Sequence, residues 1–184
     1  MFNLVRSLYH RIARAWIVLF SLLLTIVGLA AFSTLDTARP AGSPGAVALQ
    51  LAFSKEAFTR IIAEWGPAGV RAYQRSTLGL DYLFPIAYAL CLASSIAWLA
   101  SRPGREPDSV VLALFGLPWV AAALDWIENT LHLILLGDVH HPSASLVLLA
   151  SIAAAIKWGL IAFSVLVVLY LILRNIEARR AIDQ

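Results

Sequence analysis

Four apolar stretches dominate the sequence and restrict what the chain can fold into. They run over Ala15–Ser33, Leu78–Ala100, Val110–Leu136 and Leu146–Leu173. Crossing about 30 Å of hydrocarbon takes roughly 20 helical residues, and each stretch is of that length or longer. Because a lipid-exposed segment must satisfy its own backbone polar groups, the stretches predict helices. We therefore predict an all-α fold, a polytopic membrane four-helix bundle that forms a single domain over residues 1–184.

The composition supports the same class of protein. Hydrophobic residues make up 60% of the chain and charged residues only 14%, whereas soluble domains carry about 25% charged residues. The net charge of +3 does not indicate nucleic-acid binding, because the basic residues cluster at the ends of the apolar stretches. The single cysteine, Cys91, excludes an intramolecular disulfide and a thiolate-rich metal site.

Arginine residues flank the apolar stretches in a pattern that predicts the orientation of the chain. They precede the first stretch, separate the second from the third and follow the fourth, whereas Gly137–Ala144 has no lysine or arginine. The positive-inside rule then places both termini in the cytoplasm, and we expect a bacterial plasma membrane. Thr34–Thr77 is also basic, but it is long enough to weaken the rule and is assigned to the outer side. The flanking residues are Arg6, Arg11, Arg14, Arg102, Arg105, Arg174, Arg179 and Arg180.

The first apolar stretch also has features of a signal peptide. A basic start precedes it, and small residues occur near its end at Gly28–Ala31. Its apolar run is longer than the roughly 7–15 residues of a signal-peptide core. We therefore expect this stretch to be retained as a membrane span.

The outer segment begins with a turn and a short apolar pattern. Pro40–Gly45 is rich in proline and glycine, which predicts a turn. In Val47–Phe53, apolar residues alternate with smaller or polar ones, which predicts a short extended stretch.

A helical pattern follows in the same segment. Ser54 can cap a helix at its N-terminus, and Gly66 with Pro67 predicts where that helix ends. One face of this helix is apolar and the other carries charged residues. We therefore expect this amphipathic helix to lie on the outer membrane surface or to cap the bundle. Its apolar residues at helical spacing are Phe58, Ile61, Ile62 and Trp65.

Polar side chains recur within the apolar stretches and form a candidate site. Such residues are costly at membrane depth and normally face the bundle interior, so we expect the polar stripes of all four helices to point inward. At a rise of about 1.5 Å per residue, the set runs from mid-bilayer toward the outer face, which predicts a cavity open to one side. The first helix offers only Ser21, Thr25 and Gly28. The candidate ligand-binding residues are Asp81, Tyr88, Asp125, Glu128, Asn129, His132 and Lys157.

The charges of this set do not balance. Three carboxylates face one lysine, so full ionisation would leave two excess negative charges in a poorly polarisable site. One carboxyl could retain a proton, His132 could be charged, or a metal or organic cation could bind. The sequence does not decide between these states.

Metal binding and familiar enzyme chemistry are only weakly indicated. Glu128 and His132 are four residues apart, but the Glu-x-x-His spacing of di-metal helix bundles is absent. The following loop contains a second possible metal cluster, but a turn explains its sequence equally well. The residues of that loop are Asp138, His140 and His141. Nucleophile-elbow, phosphate-loop, zinc-protease and dinucleotide-binding motifs are absent, so no cofactor is specified.

Three classes of function use the same polar residues. The leading hypothesis is an integral membrane protein whose outer-side polar cavity binds a small amphiphile or cation. A structural or accessory subunit, whose polar core only sets helix packing, is the first alternative. The second is an enzyme acting on a lipid-like substrate, with Glu128 or Asp125 as general acid or base and Lys157 stabilising negative charge.

Small residues repeat at four-residue intervals on two of the predicted helices. Such rows let helices approach each other closely. Ala89, Ala93 and Ala97 form one row on the second helix. The row on the fourth helix lies nearly opposite Lys157, so we expect it to face outward and to offer a surface for homo-oligomerisation. That row is Ser151, Ala155 and Gly159.

Several short elements resemble those of a known group of proteins. They are the run Val47–Phe53, the run Leu78–Tyr88, the D-x-x-E-N element at Asp125–Asn129, and Ile156-Lys157-Trp158. Together they resemble a group of uncharacterised bacterial four-span membrane proteins. The resemblance implies that Asp81, Tyr88, Asp125, Glu128, Asn129 and Lys157 form a shared set. It implies no activity, substrate or cofactor.

Overall fold

The computed structural model describes residues 2–35, 40–101 and 106–181, and these contain helices and no strand. Arg102 and Arg105, on which the orientation prediction partly depends, lie outside the described residues. The all-α fold class is confirmed. In chain order the helices are α1 (Phe2–Ile12), α2 (Ala15–Leu35), α3 (Ala46–Gln50), α4 (Lys55–Ser76), a π-helical turn (Thr77–Asp81), α5 (Tyr82–Ala100), α6 (Ser109–Gly137) and α7 (Ala144–Arg180).

Four of these helical segments are long and apolar enough to cross a membrane, as predicted. They are α2, α6, α7 and the continuous segment that runs from α4 into α5. At 1.5 Å per residue, the 29 residues of α6 and the 37 of α7 extend over about 44 Å and about 56 Å. Both exceed the roughly 30 Å of hydrocarbon, so their ends project beyond it. The chain is therefore a multi-pass integral membrane protein.

The bundle is built on close contacts between α5 and its neighbours. α5 packs against α2, α6 and α7, and α6 packs along α7. Ala89, Ala93 and Ala97 of α5 are fully buried, and the first of them packs against Ala121 and Ala122 of α6. This row of small residues therefore serves helix packing within one chain.

A glycine sets the distance between α2 and α5. A methyl group at Gly28 of α2 would lie 2.6 Å from Cδ2 of Phe84 on α5. No real side chain tolerates such a contact without movement of the ring. The predicted polar face of α2, which includes Gly28, therefore does turn toward the bundle.

A short amphipathic helix, α1, lies at the end of the bundle where α5 ends and α6 begins. Its buried residues Tyr9 and Ile12 pack with Phe115 of α6 and the alanines of α5. The Tyr9 hydroxyl donates to the carbonyl of Ala97 at 3.1 Å, and burial raises the pKa of Tyr9. We did not predict this helix, although Val5, Tyr9 and Ile12 recur at helical spacing.

At the opposite end, α3 and α4 form a cap over the ends of α6 and α7. Ser54 caps α4 as predicted, its hydroxyl accepting from the Ala57 N–H at 3.2 Å. The predicted apolar face of the amphipathic helix is buried in a small core. The members of that core are Leu49, Phe58, Ile61, Ile62, Trp65, Val70, Tyr73, Leu135, Leu136 and Val147.

Two details of the cap differ from the predictions. The stretch Val47–Phe53 is not extended, because α3 and a turn occupy it and leave only Leu49 of its apolar residues buried. The described residues offer this stretch no strand to pair with, so its contacts within the cap decide its conformation. The chain does bend at Gly66, which has a φ of +62°, but it resumes as a helix from Pro67 and runs into the π-helical turn.

Candidate functional site

A buried lysine joins α7 to α6 at the centre of the candidate site. Lys157 Nζ lies 2.6 Å from Glu128 Oε2 and donates a hydrogen bond to Asp125 Oδ1 at 3.1 Å. The exposed fractions are 2% for Lys157, 0% for Glu128 and 8% for Asp125. The predicted helical faces are therefore correct for these three residues.

Further hydrogen bonds connect this ion pair to α5 and to the π-helical turn. The Tyr88 hydroxyl donates to Asp125 Oδ2 at 3.1 Å. Asn129 Nδ2 donates to the backbone carbonyl of Asp81 at 2.9 Å and lies 3.4 Å from Asp125 Oδ1. The side chain of Asp81 accepts from the hydroxyl of Thr77 at 3.1 Å.

His132 connects the same network to the cap. Its Nδ1 lies 3.3 Å from the Tyr73 hydroxyl, with which it hydrogen-bonds, and 3.7 Å from Glu128 Oε1. The ring of Phe58 stacks over the imidazole at a centroid distance of 6.4 Å. Tyr73 was missed in the sequence because Gly66 and Pro67 were interpreted as the end of the helix. Its spacing of three residues from Val70 was the available signal.

All seven predicted residues therefore belong to one hydrogen-bonded and ionic network. Its buried part holds two carboxylates and one lysine, and the half-buried Asp81 adds a third carboxylate. Glu128 Oε1 is fully buried and makes no hydrogen bond with the described part of the chain. With every group ionised, Asp125 and Glu128 would together exceed the charge of Lys157 by one negative charge.

The polar residues of α2 do not join this network. Ser21 donates to the carbonyl of Ile17 at 2.6 Å, and Thr25 donates to that of Ser21 at 2.8 Å. Ser164 of α7 likewise donates to the carbonyl of Leu160 at 2.7 Å. The stripe of α2 does point inward as predicted, since Ser21 is buried and Thr25 lines the same cleft as the charged residues. Its short hydroxyl side chains bond to their own helix and so make no contact with the network.

An apolar cleft of about 600 Å³ lies beside the network, between α2 and α7. Its polar wall is formed by Asp81, Tyr88, Asp125 and Lys157, whereas Glu128, Asn129 and His132 lie behind that wall. Most of the lining is apolar, in contrast to the polar cavity that the sequence predicts. The apolar side walls are Leu22, Leu29 and Phe32 of α2 and Trp158, Ile161 and Val165 of α7.

The cap closes one end of this cleft. Val47 and Gln50 of α3 line it, and Gln50 Oε1 accepts from Trp158 Nε1 at 3.1 Å. The N–H of Phe53, which has a φ of +54°, donates to Ser151 Oγ on α7 at 3.0 Å. One hydrogen bond thus joins α3 to α7 beside the cleft, and the other joins the turn after α3 to α7.

The row of small residues on α7 that we predicted to face outward lies partly on the surface and partly in the interior. Ala155 and Gly159 are exposed on the bundle surface, as expected. Ser151 is only 1% exposed, because it accepts the hydrogen bond from Phe53. Oligomerisation through this row stays a prediction.

The loop after α6 is a turn rather than a cluster of ligands. Asp138 Oδ1 accepts from the backbone N–H of His141 at 3.2 Å, which closes the turn before α7 begins. Within residues 2–35, 40–101 and 106–181, no group of three histidine, cysteine or acidic side chains is arranged to hold a metal ion.

Comparison with known proteins identifies no relative. No protein-family model, curated protein or solved structure matches the chain. The resemblance to bacterial four-span proteins therefore stays a prediction, and the function is argued from the site alone.

Proposed function

We propose that this protein binds a membrane amphiphile in the cleft between α2 and α7. The apolar chain of the ligand lies along the two helices, and its polar group meets Asp81, Tyr88, Asp125 and Lys157. The observation that carries this proposal is the position of a buried charged network on one wall of an otherwise apolar cleft. Ligand sites combine this kind of apolar lining with a few well-placed polar groups.

The dimensions of the cleft suit one chain of a bilayer lipid. From Leu22 to Phe32, the α2 wall extends over about 15 Å at 1.5 Å per residue. This length is about half of the roughly 30 Å hydrocarbon thickness. Because α2 packs on α5 and not along α7, the cleft opens sideways between α2 and α7, and we propose that the ligand enters from the bilayer.

We also propose that the α3–α4 cap faces the outside of a bacterial plasma membrane. The proposal is supported by the arginines of α1 and of the end of α7, because both elements contact the end of α5 that lies away from the cap. A fluorescent protein that matures only in the cytoplasm, fused after Gln184, should be bright. A dark fusion at a normal expression level would reverse the orientation.

Photo-cross-linking tests the amphiphile proposal. A fatty acid with a diazirine in its chain, incorporated into nanodiscs with the protein, should label the cleft-lining residues Cys91 and Leu92 saturably. Leu29→Trp fills the cleft and should abolish that labelling. The matched control Leu23→Trp, on the lipid-exposed face of the same helix, should retain it. Equal labelling in both variants would contradict the proposal.

A structural role is the second candidate function, and one specific observation favours it. Glu128, Asn129 and His132 are almost fully buried, and their contacts link α4, the π-helical turn, α6 and α7. A network that only fixes helix packing would give no saturable labelling of the cleft. The cross-linking experiment therefore separates the two functions.

A further inference from the structure

We infer that α1 is a surface helix that binds the head groups of anionic phospholipids at the end of the bundle opposite the cap. This inference is independent of the proposed function, because no described residue of α1 lines the cleft. It follows from the height of α1 on the bundle, from an apolar stripe that the bundle leaves uncovered, and from the charge of the remaining face.

The contacts of α1 place it where the bundle leaves the hydrocarbon. The Tyr9 hydroxyl donates to the carbonyl of Ala97, near the end of α5, at 3.1 Å. The next residue, Trp98, is 45% exposed, and Trp16 at the start of α2 is 61% exposed. Exposed tryptophans of membrane proteins concentrate at the boundary between hydrocarbon and head groups. α1 therefore lies at the height of the lipid head groups.

The bundle covers only part of the apolar face of α1. Val5, Tyr9 and Ile12 pack against α5 and α6, whereas Leu4 and Leu8 are 75% and 40% exposed. Because Leu4 and Leu8 are four residues apart, they form one stripe beside the packed residues. A helix in the membrane surface buries such a stripe at the boundary of the acyl chains. At this height, the occupant that covers the two leucines is the lipid itself.

The charge of α1 specifies the kind of lipid. Residues 1–35 contain no aspartate or glutamate, whereas Arg6, Arg11 and Arg14 are all exposed. The nearby carboxylate of Glu106 lies 3.1 Å from His10 Nε2, and none of the three arginines forms an ion pair within the described ranges.

The positions of two of these arginines suit lipid phosphate. At 3.6 residues per turn, Arg11 and Arg6 fall on the two borders of the apolar face of α1. A guanidinium at such a border can bind a phosphate group while the leucines beside it contact the acyl chains. Basic residues of this kind are attracted to anionic lipids, and a zwitterionic head group offers them no net charge.

Fluorescence quenching in nanodiscs tests the inference. In a Cys91→Ser background, a bimane fluorophore on Leu8→Cys reports the lipid beside α1. Phosphatidylglycerol or phosphatidylcholine, spin-labelled near the head of one acyl chain, is added in increasing mole fraction to nanodiscs of unlabelled phosphatidylcholine. We expect the anionic lipid to quench at a mole fraction about tenfold lower than the zwitterionic one. At about 1 M salt, where the Debye length is about 3 Å, the two should quench alike.

Paired charge substitutions identify the source of the preference. Arg6→Gln combined with Arg11→Gln should remove most of the advantage of phosphatidylglycerol. Lys55→Gln combined with Arg60→Gln removes the same charge from exposed positions of α4, in the cap, and should leave the advantage unchanged. Equal losses in the two double variants would overturn the role of α1.

A water-soluble quencher tests how α1 lies in the membrane. Asn3 is exposed and lies about 140° around the helix from Leu8. Aqueous iodide should quench bimane on Asn3→Cys at a several-fold lower concentration than bimane on Leu8→Cys. Gel filtration checks the fold of each variant, and Leu4→Cys replaces Leu8→Cys if the latter does not fold.

Two results would overturn the inference. Equal quenching by the two spin-labelled lipids at low salt would show that α1 does not select anionic head groups. Equal quenching of both bimane positions by iodide would show that the leucine stripe faces water and not lipid. Neither result would affect the cleft between α2 and α7, since the labelled positions lie outside it.

Discussion

Lys157 Nζ on α7 lies 2.6 Å from Glu128 Oε2 on α6, and both residues are almost fully buried. A charge in such a place is stable only with a partner of opposite sign, so each residue depends on the other. The same ammonium also bonds to Asp125, which in turn accepts from Tyr88 of α5. One side chain thus holds three membrane helices in register and forms part of the wall of the cleft.

Removing the ammonium should destabilise the bundle strongly. Lys157→Met leaves two carboxylates buried without their partner, which typically costs about 3–5 kcal/mol. We expect a clear fall in Tm, measured by fluorescence-detected gel filtration in detergent. Adding Asp125→Asn and Glu128→Gln to the same chain should restore much of the loss, because no uncompensated charge is left. A Lys157→Met protein as stable as the control Lys55→Met would contradict the role of this ion pair.

The close approach of α2 to α5 predicts a second stability difference. Gly28→Ala places a methyl group against the Phe84 ring and should cost about 1–3 kcal/mol, as overpacking of a core does. Gly159→Ala has no neighbour within 4 Å of the added methyl and should raise stability by up to about 1 kcal/mol, through helix propensity. Chemical unfolding of both variants measures the difference. If Gly28→Ala matches Gly159→Ala, α2 does not pack on α5 at this point.

The hydrogen bond between Phe53 and Ser151 predicts that its loss makes the turn after α3 more mobile. Ser151→Ala removes the acceptor for the Phe53 N–H, at a cost of about 1 kcal/mol, and frees the turn after α3. Hydrogen–deuterium exchange should rise in the peptide that covers residues 46–53 and stay constant in α6. Ser33→Ala removes a hydroxyl that bonds only to its own helix and is the matched control. Unchanged exchange in Ser151→Ala would show that other contacts hold α3.

The single cysteine provides a probe of the cleft without any engineering. Cys91 lines the cleft and is partly exposed, so a membrane-permeant maleimide should alkylate it. We expect a bound amphiphile to slow that reaction several-fold, and Leu29→Trp to slow it in the absence of a ligand. Intact-protein mass spectrometry follows the rate, and Cys91→Ser gives the background. A rate that no added amphiphile alters would argue against occupancy of this part of the cleft.

The membrane spans and the ion pair could be predicted from the sequence, for physical reasons. Helix length in a bilayer is fixed by hydrocarbon thickness, and polar residues at membrane depth turn inward because lipid cannot solvate them. These two constraints are enough to bring Lys157 together with Asp125 and Glu128 in the bundle interior. They apply to residues within the spans and say little about the segment outside the bilayer.

Outside the spans, tertiary contacts decide what local patterns cannot. The alternation in Val47–Phe53 is weak, and α3 forms there because Leu49 is buried in the cap and Gln50 bonds to Trp158. Gly66 does interrupt α4, but burial of Val70 and Tyr73 restarts the helix. The apolar character of the cleft depends on how far α2 stands from α7, which no pattern within a single helix encodes.

The most direct test of amphiphile binding is native mass spectrometry of the protein released from mild detergent. We predict that wild type retains a reproducible amphiphile mass, that the control Leu23→Trp retains the same mass, and that Leu29→Trp releases only the bare polypeptide. Identification of the retained molecule by fragmentation would then also reveal the charge of its head group. A bare polypeptide from all three proteins, or the same adduct in Leu29→Trp, would contradict binding in this cleft.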